Sequence, residues 1–369
     1  MKPSRLISIF AGIIIILIII LLILIPSKQE SEIKIGVIGP FTGPVSRFGE
    51  YMREGFDMAI DEINSKGGIN NKKLKLIYED DKCIDISGMV SALQKLKEID
   101  KVVAVLGPYC GTTNVVAGQF STDNDLFMIA PGDNLGKVGK YKVNTRYLLS
   151  KEAEVLADYA LKQGWKKLSI LHYDNDWGLG YKKAIESYLK DHGGELISAE
   201  KYDFSNLDVR TQFLKIKSAD PDAVAIFDGT SGELFKQAFD LNLNKPLLSE
   251  WEIEKPETKG IAGPALEGVI YALPGGQITD FHRRFKEKYN KDPNIAHIDS
   301  YDAAMILAKA LEACTNFDPQ CMLDYVTNLK NYQGAGGSLT FNEEIWAFEK
   351  PFILKTVKNE RFVELEEVE

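Results

Sequence analysis

Residues that could do chemistry are sparse in this chain, and their spacing fits no catalyst. Carboxylates gather at Glu79-Asp80-Asp81 and Asp174-Asn175-Asp176, groupings that can hold a cation. A calcium loop opening at Asp174 needs a glutamate at its twelfth position, where Ile185 stands. The first cluster reads as the solvated end of a strand. Gly36, Gly39 and Gly43 lack the spacing of a dinucleotide site, and no Gly-Lys-Ser/Thr phosphate loop occurs. Gly229-Thr230-Ser231-Gly232 is not a nucleophile elbow. His172, His192, His282 and His297 are scattered without metal-ligand spacing, so core or surface roles are expected for them. No catalytic residue, metal site or cofactor is expected, which leaves binding as the function to explain.

Composition narrows the partner. The chain has 369 residues, 45% apolar and 26% charged, with a formal net charge of −9. That is a globular composition, long enough for two domains, and its acidity argues against nucleic acid. One segment departs from the average: Leu6–Ile25 is apolar except for Ser8 and is long enough to span a bilayer. Lys2 and Arg5 precede it, which keeps the N-terminus inside and sends the rest out of the cytoplasm. Leu24-Ile25-Pro26-Ser27 lacks the small residues of a cleavage site, and no cysteine in the first thirty positions could carry a lipid. An uncleaved, single-pass signal anchor is expected, with cleavage as the alternative.

After a short polar linker, strands and helices alternate. Ile33–Gly39 is a dense apolar run, and a helix follows to about Lys66, its apolar positions three and four apart, ended by Gly67-Gly68. Strands are expected at Leu74–Tyr78, Val102–Leu106 and Leu126–Ala130, with a helix near Ser87–Glu98. The rhythm restarts after Asn144–Ser150 with a helix near Glu152–Gln163 and strand Leu168–His172. Helices near Tyr181–Asp191, Gly232–Leu241, Ile278–Tyr289 and Ser300–Cys314 continue it. Strands Ala223–Phe227, Leu247-Leu248, Val269–Ala272, Leu339–Phe341 and Pro351–Val357 complete it. Such alternation means α/β structure, two doubly wound parallel-sheet units with a crevice at the carboxyl ends of their strands. Cys83 and Cys110 each follow a strand of the first unit, so neighbouring strands would bring them to one edge. In an exported domain a bond between them is expected, with a second, local bridge between Cys314 and Cys321; free buried thiols are the alternative.

The run Ile35-Gly36-Val37-Ile38-Gly39-Pro40-Phe41-Thr42-Gly43-Pro44 resembles the opening strand and loop of the periplasmic leucine/isoleucine/valine-binding protein family. Gly55-Phe56-Asp57-Met58-Ala59-Ile60, Asp80-Asp81-Lys82-Cys83, Gly107-Pro108-Tyr109-Cys110 and Ala130-Pro131-Gly132 continue the likeness, as does Tyr173-Asp174-Asn175-Asp176-Trp177-Gly178 in the second half. It covers nearly all of the chain after residue 31. The resemblance implies a three-crossover hinge near Asn144–Ser150, Leu273–Gly275 and Ser338–Phe341. Residues 1–30 would be anchor and linker, 31–147 with 273–341 lobe one, and 148–272 with 342–369 lobe two.

The resemblance also supplies a ligand set. Phe48 would cover the ligand from lobe one, beside Tyr109, Gly111 and Thr112 after the third strand and Gly132, Asp133 and Asn134 after the fourth. From lobe two would come Trp177, Asp228, Thr230 and Glu250, the last receiving an amino group. Two positions depart from the amino-acid binders: Gly111 stands in place of a serine and Asp133 in place of a threonine. With Arg47 as the sole cation expected nearby, the cleft reads as acidic and aromatic, suited to an ammonium or amide donor and closed to simple organic acids. The alternative is that Asp133 turns away to cap the helix after its loop. The implied role is a monomeric, membrane-tethered solute receptor working with ABC permease subunits on an amino acid, amide or amine. The alternative is the sensing ectodomain of a signalling receptor, which the absence of a second hydrophobic span and of a cytoplasmic module disfavours.

Overall fold

The computed structural model describes residues 32–365 except 84, 228–231 and 275–278. The apolar segment Leu6–Ile25 lies outside the described residues, and among those described no helix is long and apolar enough to cross a membrane.

The first unit runs β1 (Ile33–Gly39), α1 (Ser46–Ser65), β2 (Leu74–Asp80), α2 (Ile86–Gln94), β3 (Ala104–Leu106), α3 (Gly111–Asp123), β4 (Met128–Ala130) and β5 (Lys142–Asn144). The second runs α4 (Leu149–Lys162), β6 (Lys167–Tyr173), α5 (Asp176–Asp191), β7 (Glu195–Tyr202), α6 (Arg210–Ala219), β8 (Ala223–Ile226), α7 (Glu233–Asp240), β9 (Leu247–Glu250), α8 (Pro256–Ala262) and β10 (Ile270–Pro274). The chain then returns through α9 (Asp280–Tyr289), α10 (Ile295–Ala313), α11 (Pro319–Thr327), β11 (Tyr332–Gly334), β12 (Gly337–Asn342) and β13 (Ala347–Glu349). It ends in β14 (Phe352–Lys358) and β15 (Arg361–Glu364).

Two sheets result, ordered β11-β12-β13-β5-β4-β3-β1-β2 and β15-β14-β10-β9-β8-β6-β7. Each has the same parallel core, in which the first strand of the unit lies between the second and third. Such an order leaves a crevice at the carboxyl ends of the strands where it reverses. The parallel strands are buried on both faces, which is why Ile33, Ile35, Val37 and Ile38 all read as apolar. In the first sheet, α1, α9 and α10 cover one face with Phe56, Phe285 and Leu307, and α2 and α3 cover the other with Leu93 and Phe120. The second sheet is clothed by α4 and α5 on one side and α6 and α7 on the other.

Both disulfides are present, Cys83–Cys110 and Cys314–Cys321. The first ties the loop after β2 to the residue before α3. The chain passes between the sheets after β5, after β10 and after β13. The third passage lies later than Ser338–Phe341, because β13 still belongs to the first sheet. Ala347 pairs with Asn144, and the Trp346 indole N–H donates to the Lys142 carbonyl at 2.7 Å. The cluster Glu79-Asp80-Asp81 is also not a merely solvated end. Asp81 is fully buried and accepts from the Cys83 N–H at 2.9 Å, and burial pushes its carboxyl up to about 6.

Candidate functional site

The site lies where the β3, β4 and β9 strand ends, the start of α1 and the start of α5 face one another. Phe48, on the first turn of α1, is buried and stacks on Tyr109 with ring centroids 4.9 Å apart. Tyr109 follows β3, and its hydroxyl accepts from Arg146 Nη1 at 2.8 Å. Gly111 opens α3, with Thr112 half-buried beside it. The loop after β4 lies directly on that turn. A Cβ on Gly132 would stand 1.8 Å from the Tyr109 carbonyl oxygen, so only glycine permits this approach. Asp133 N–H donates to the same carbonyl at 2.7 Å.

Asp133 points at the start of α3. Its Oδ2 accepts from Gly111 N–H at 3.1 Å, and its Oδ1 lies 3.7 Å from Arg146 Nη1. Burial pushes the carboxyl up to about 6 against the pull of that guanidinium. Asp133 therefore caps α3, the helix before its loop rather than the one after it. Asn134 lines the same cavity and also braces the scaffold. Its Oδ1 accepts from Asn144 Nδ2 at 3.0 Å and Gly136 N–H at 2.9 Å, and its Nδ2 donates to the Arg146 carbonyl at 3.3 Å.

From the second unit, Trp177 stands at the start of α5, edge-on to Tyr181 with centroids 5.0 Å apart. Asn175 caps that helix by accepting from Gly178 N–H at 2.9 Å, which sets the direction in which Trp177 projects. Glu250 ends β9 and is 1% exposed. Its Oε2 accepts from Glu252 N–H at 2.6 Å, while its Oε1 has no partner among the described residues. Burial, with Glu252 and Glu152 nearby, holds the Glu250 carboxyl well above the usual carboxylate range. Asp228 and Thr230 lie outside the described residues.

Four residues that sequence reasoning passed over complete the site. Trp251 and Glu252 follow Glu250 directly in sequence. Lys255 is paired with Glu252 at 2.5 Å, and its ammonium lies 4.4 Å from the centroid of the Phe48 ring. Arg146 sits in the first crossover with its guanidinium 5.4 Å from the Trp251 ring. The expected cleft with Arg47 as its sole cation is thus corrected. Arg47 pairs with Glu257 at 3.0 Å, while Arg146 and Lys255 enter the site itself. The signal for Arg146 was its place in the stretch already read as a crossover. Lys255 gave none, since the short turn Trp251–Glu254 that brings it back is not periodic.

These side chains nearly fill the cleft. The cavity bounded by Asp133, Arg146, Tyr147, Trp177, Glu250 and Trp251 is only about 10 Å³, about the room of one water. Beyond Trp251 a hollow of about 730 Å³ continues between Arg47, Tyr51, Lys255 and Pro274. As these side chains stand, no room larger than a water remains at the strand ends.

A family model described as periplasmic binding protein matches residues 32–360. The leucine-, isoleucine-, valine-, threonine- and alanine-binding protein of Pseudomonas aeruginosa is 27% identical over 331 residues, 86% of this chain and 88% of that protein. A leucine-binding protein of Thermotoga maritima superposes with a TM-score of 0.80 at 22% identity, covering 90% of this chain and 98% of its own. A solute-binding protein of an R. palustris ABC transporter in complex with benzoate also superposes at 0.80, with 16% identity and 91% and 96% coverage. One fold thus takes an amino acid in some proteins and an aromatic acid in another, so the fold alone does not choose the ligand.

Proposed function

Because the chain belongs to the periplasmic binding protein family, of the leucine/isoleucine/valine-binding type, and so is a binding protein and not an enzyme, we propose that it is the solute receptor of an ABC importer. It takes an amino acid or a related small nitrogenous solute between its two units, and residues 6–25 tether it outside the cytoplasm. Glu250 carries this reading. Its Oε1, buried without a hydrogen-bond partner among the described residues, is costly to leave so, and Glu250 lines the cavity at the strand ends. A ligand ammonium answers it by favouring the ionised, accepting form of the carboxyl, and Phe48, Tyr109, Trp177 and Trp251 supply aromatic walls for the rest of the solute. Closure follows from the three passages between the sheets, which bend together as a hinge.

The test is a thermal-shift screen of the full chain in detergent against amino acids, amides, amines and organic acids. A ligand that binds only the folded state raises the melting temperature. At least one nitrogenous solute is expected to do so. A flat response across the panel removes the solute-receptor reading.

A further inference from the structure

Resting on that reading, we infer that the anion-holding corner of the cleft is taken by the chain's own Asp133, so that the ligand is an amide or amine without a free carboxylate at that end. The corner has the parts a bound carboxylate seeks, the opening N–H of a helix and a guanidinium. Both are answered from within: Gly111 N–H reaches Asp133 Oδ2 at 3.1 Å, and Arg146 Nη1 stands 3.7 Å from Oδ1.

The carboxylate is also fixed there. Asp133 N–H is bonded to the Tyr109 carbonyl, and Asn114 Nδ2 donates to the Asp133 carbonyl at 2.5 Å. Gly132 locks the same loop onto Tyr109, since a Cβ would stand 1.8 Å from its oxygen. The missing side chain at Gly111 belongs to the same arrangement. A Cβ at Gly111 would already touch Asp133 Oδ2 at 3.8 Å, so a larger side chain competes with the carboxylate for the corner. A ligand carboxylate entering here meets a like charge in a closed site.

The remaining charges agree. Lys255, the other cation at the cleft, faces Glu252 at 2.5 Å. Among the described residues, the buried oxygens left without a hydrogen-bond partner here include Glu250 Oε1, and a ligand ammonium beside it favours the ionised, accepting form that burial otherwise opposes. The cleft offers a ligand hydrogen-bond acceptance and aromatic cover, while its cations already face carboxylates of the chain.

The experiment is calorimetric titration of the full chain with matched pairs, leucine against leucinamide and alanine against alaninamide. Wild type favours the amide of a pair at least tenfold. Asp133→Ala empties the corner, and a free amino acid gains at least tenfold over wild type. Asp133→Asn fills the corner and still accepts from Gly111, so it keeps the acid out. Asp133→Thr takes the place of the alanine variant if that one does not fold. Equal binding of acid and amide by wild type, or no gain of any amino acid when the corner is emptied in a folded variant, overturns the inference. Either result leaves the solute-receptor reading standing as long as the thermal screen finds a ligand; silence in both assays ends both.

Discussion

Replacing both cysteines of each disulfide with alanine gives two variants of the first unit that differ in one quantity, the loop that was closed. Cys83 and Cys110 are 27 residues apart, Cys314 and Cys321 only 7. Loop-closure entropy then assigns about 3.5 kcal/mol to the first bond and about 2.4 kcal/mol to the second. Both lie in the unit built on the first sheet, so one reporter serves both: the amides of β1, buried between β3 and β2. Native-state hydrogen exchange reads the opening free energy of those amides directly. The expected accelerations are roughly 400-fold for C83A/C110A and roughly 60-fold for C314A/C321A. Equal accelerations, or a larger one for the short loop, would refute the reasoning that these bonds act through the unfolded chain.

Two further outcomes follow from the site. Lys255→Met removes the partner of Glu252 and the cation over Phe48, leaving a carboxylate uncompensated in a closed cleft. The cost of a broken buried pair is about 3–5 kcal/mol, and parting the units relieves it by rehydrating Glu252. Small-angle scattering of the ligand-free variant should therefore give a larger radius of gyration than wild type; an unchanged radius counts against the contact as a latch. Glu152 is the second. Burial pushes it up to about 7 from 4.5, although Tyr147 and Tyr181 donate to it. Between those values the folded chain holds a proton the unfolded chain has lost, so stability falls as pH rises across that window. Urea denaturation at pH 5 and pH 7.5 should differ by about 1–3 kcal/mol more in wild type than in Glu152→Gln. An equal difference removes Glu152 as the cause.

The fold was legible wherever burial wrote itself into the pattern. β1, β8 and α1 stand within a residue or two of their expected ends because both faces, or one helical stripe, are apolar. β7 escaped notice because it is an edge strand in which only Tyr202 is fully buried, so Glu195, Glu200 and Lys201 interrupt any apolar run. α3 escaped for another reason. Gly111, Thr112, Thr113 and Asn114 are poor helix formers, and the segment is held by its neighbours rather than by an amphipathic stripe. Of the residues the resemblance put forward, Asp133, Asn134, Trp177 and Glu250 line the small cavity at the strand ends, Phe48 stacks on Tyr109, Gly132 packs on the Tyr109 carbonyl, and Thr112 is half-buried at the start of α3. What the sequence hid was the charge balance. Asp133 is 13 positions from Arg146 and belongs to another loop, and no local pattern announces that the two face each other.

Glu250 is the residue whose removal should weaken ligand binding most directly. Once the thermal screen has named a ligand, titrating it calorimetrically into wild type and Glu250→Leu settles whether the orphan oxygen is what the solute binds. Leucine fills a similar volume but also deletes the bond from Glu252 N–H to Oε2, so the variant should melt somewhat below wild type, and binding is read only once it is shown to be folded. A hydrogen bond to a charged or strongly polar group is worth about 1.5–3 kcal/mol, so affinity should fall roughly tenfold to 150-fold. A folded Glu250→Leu variant that binds the solute as tightly as wild type would contradict the central claim.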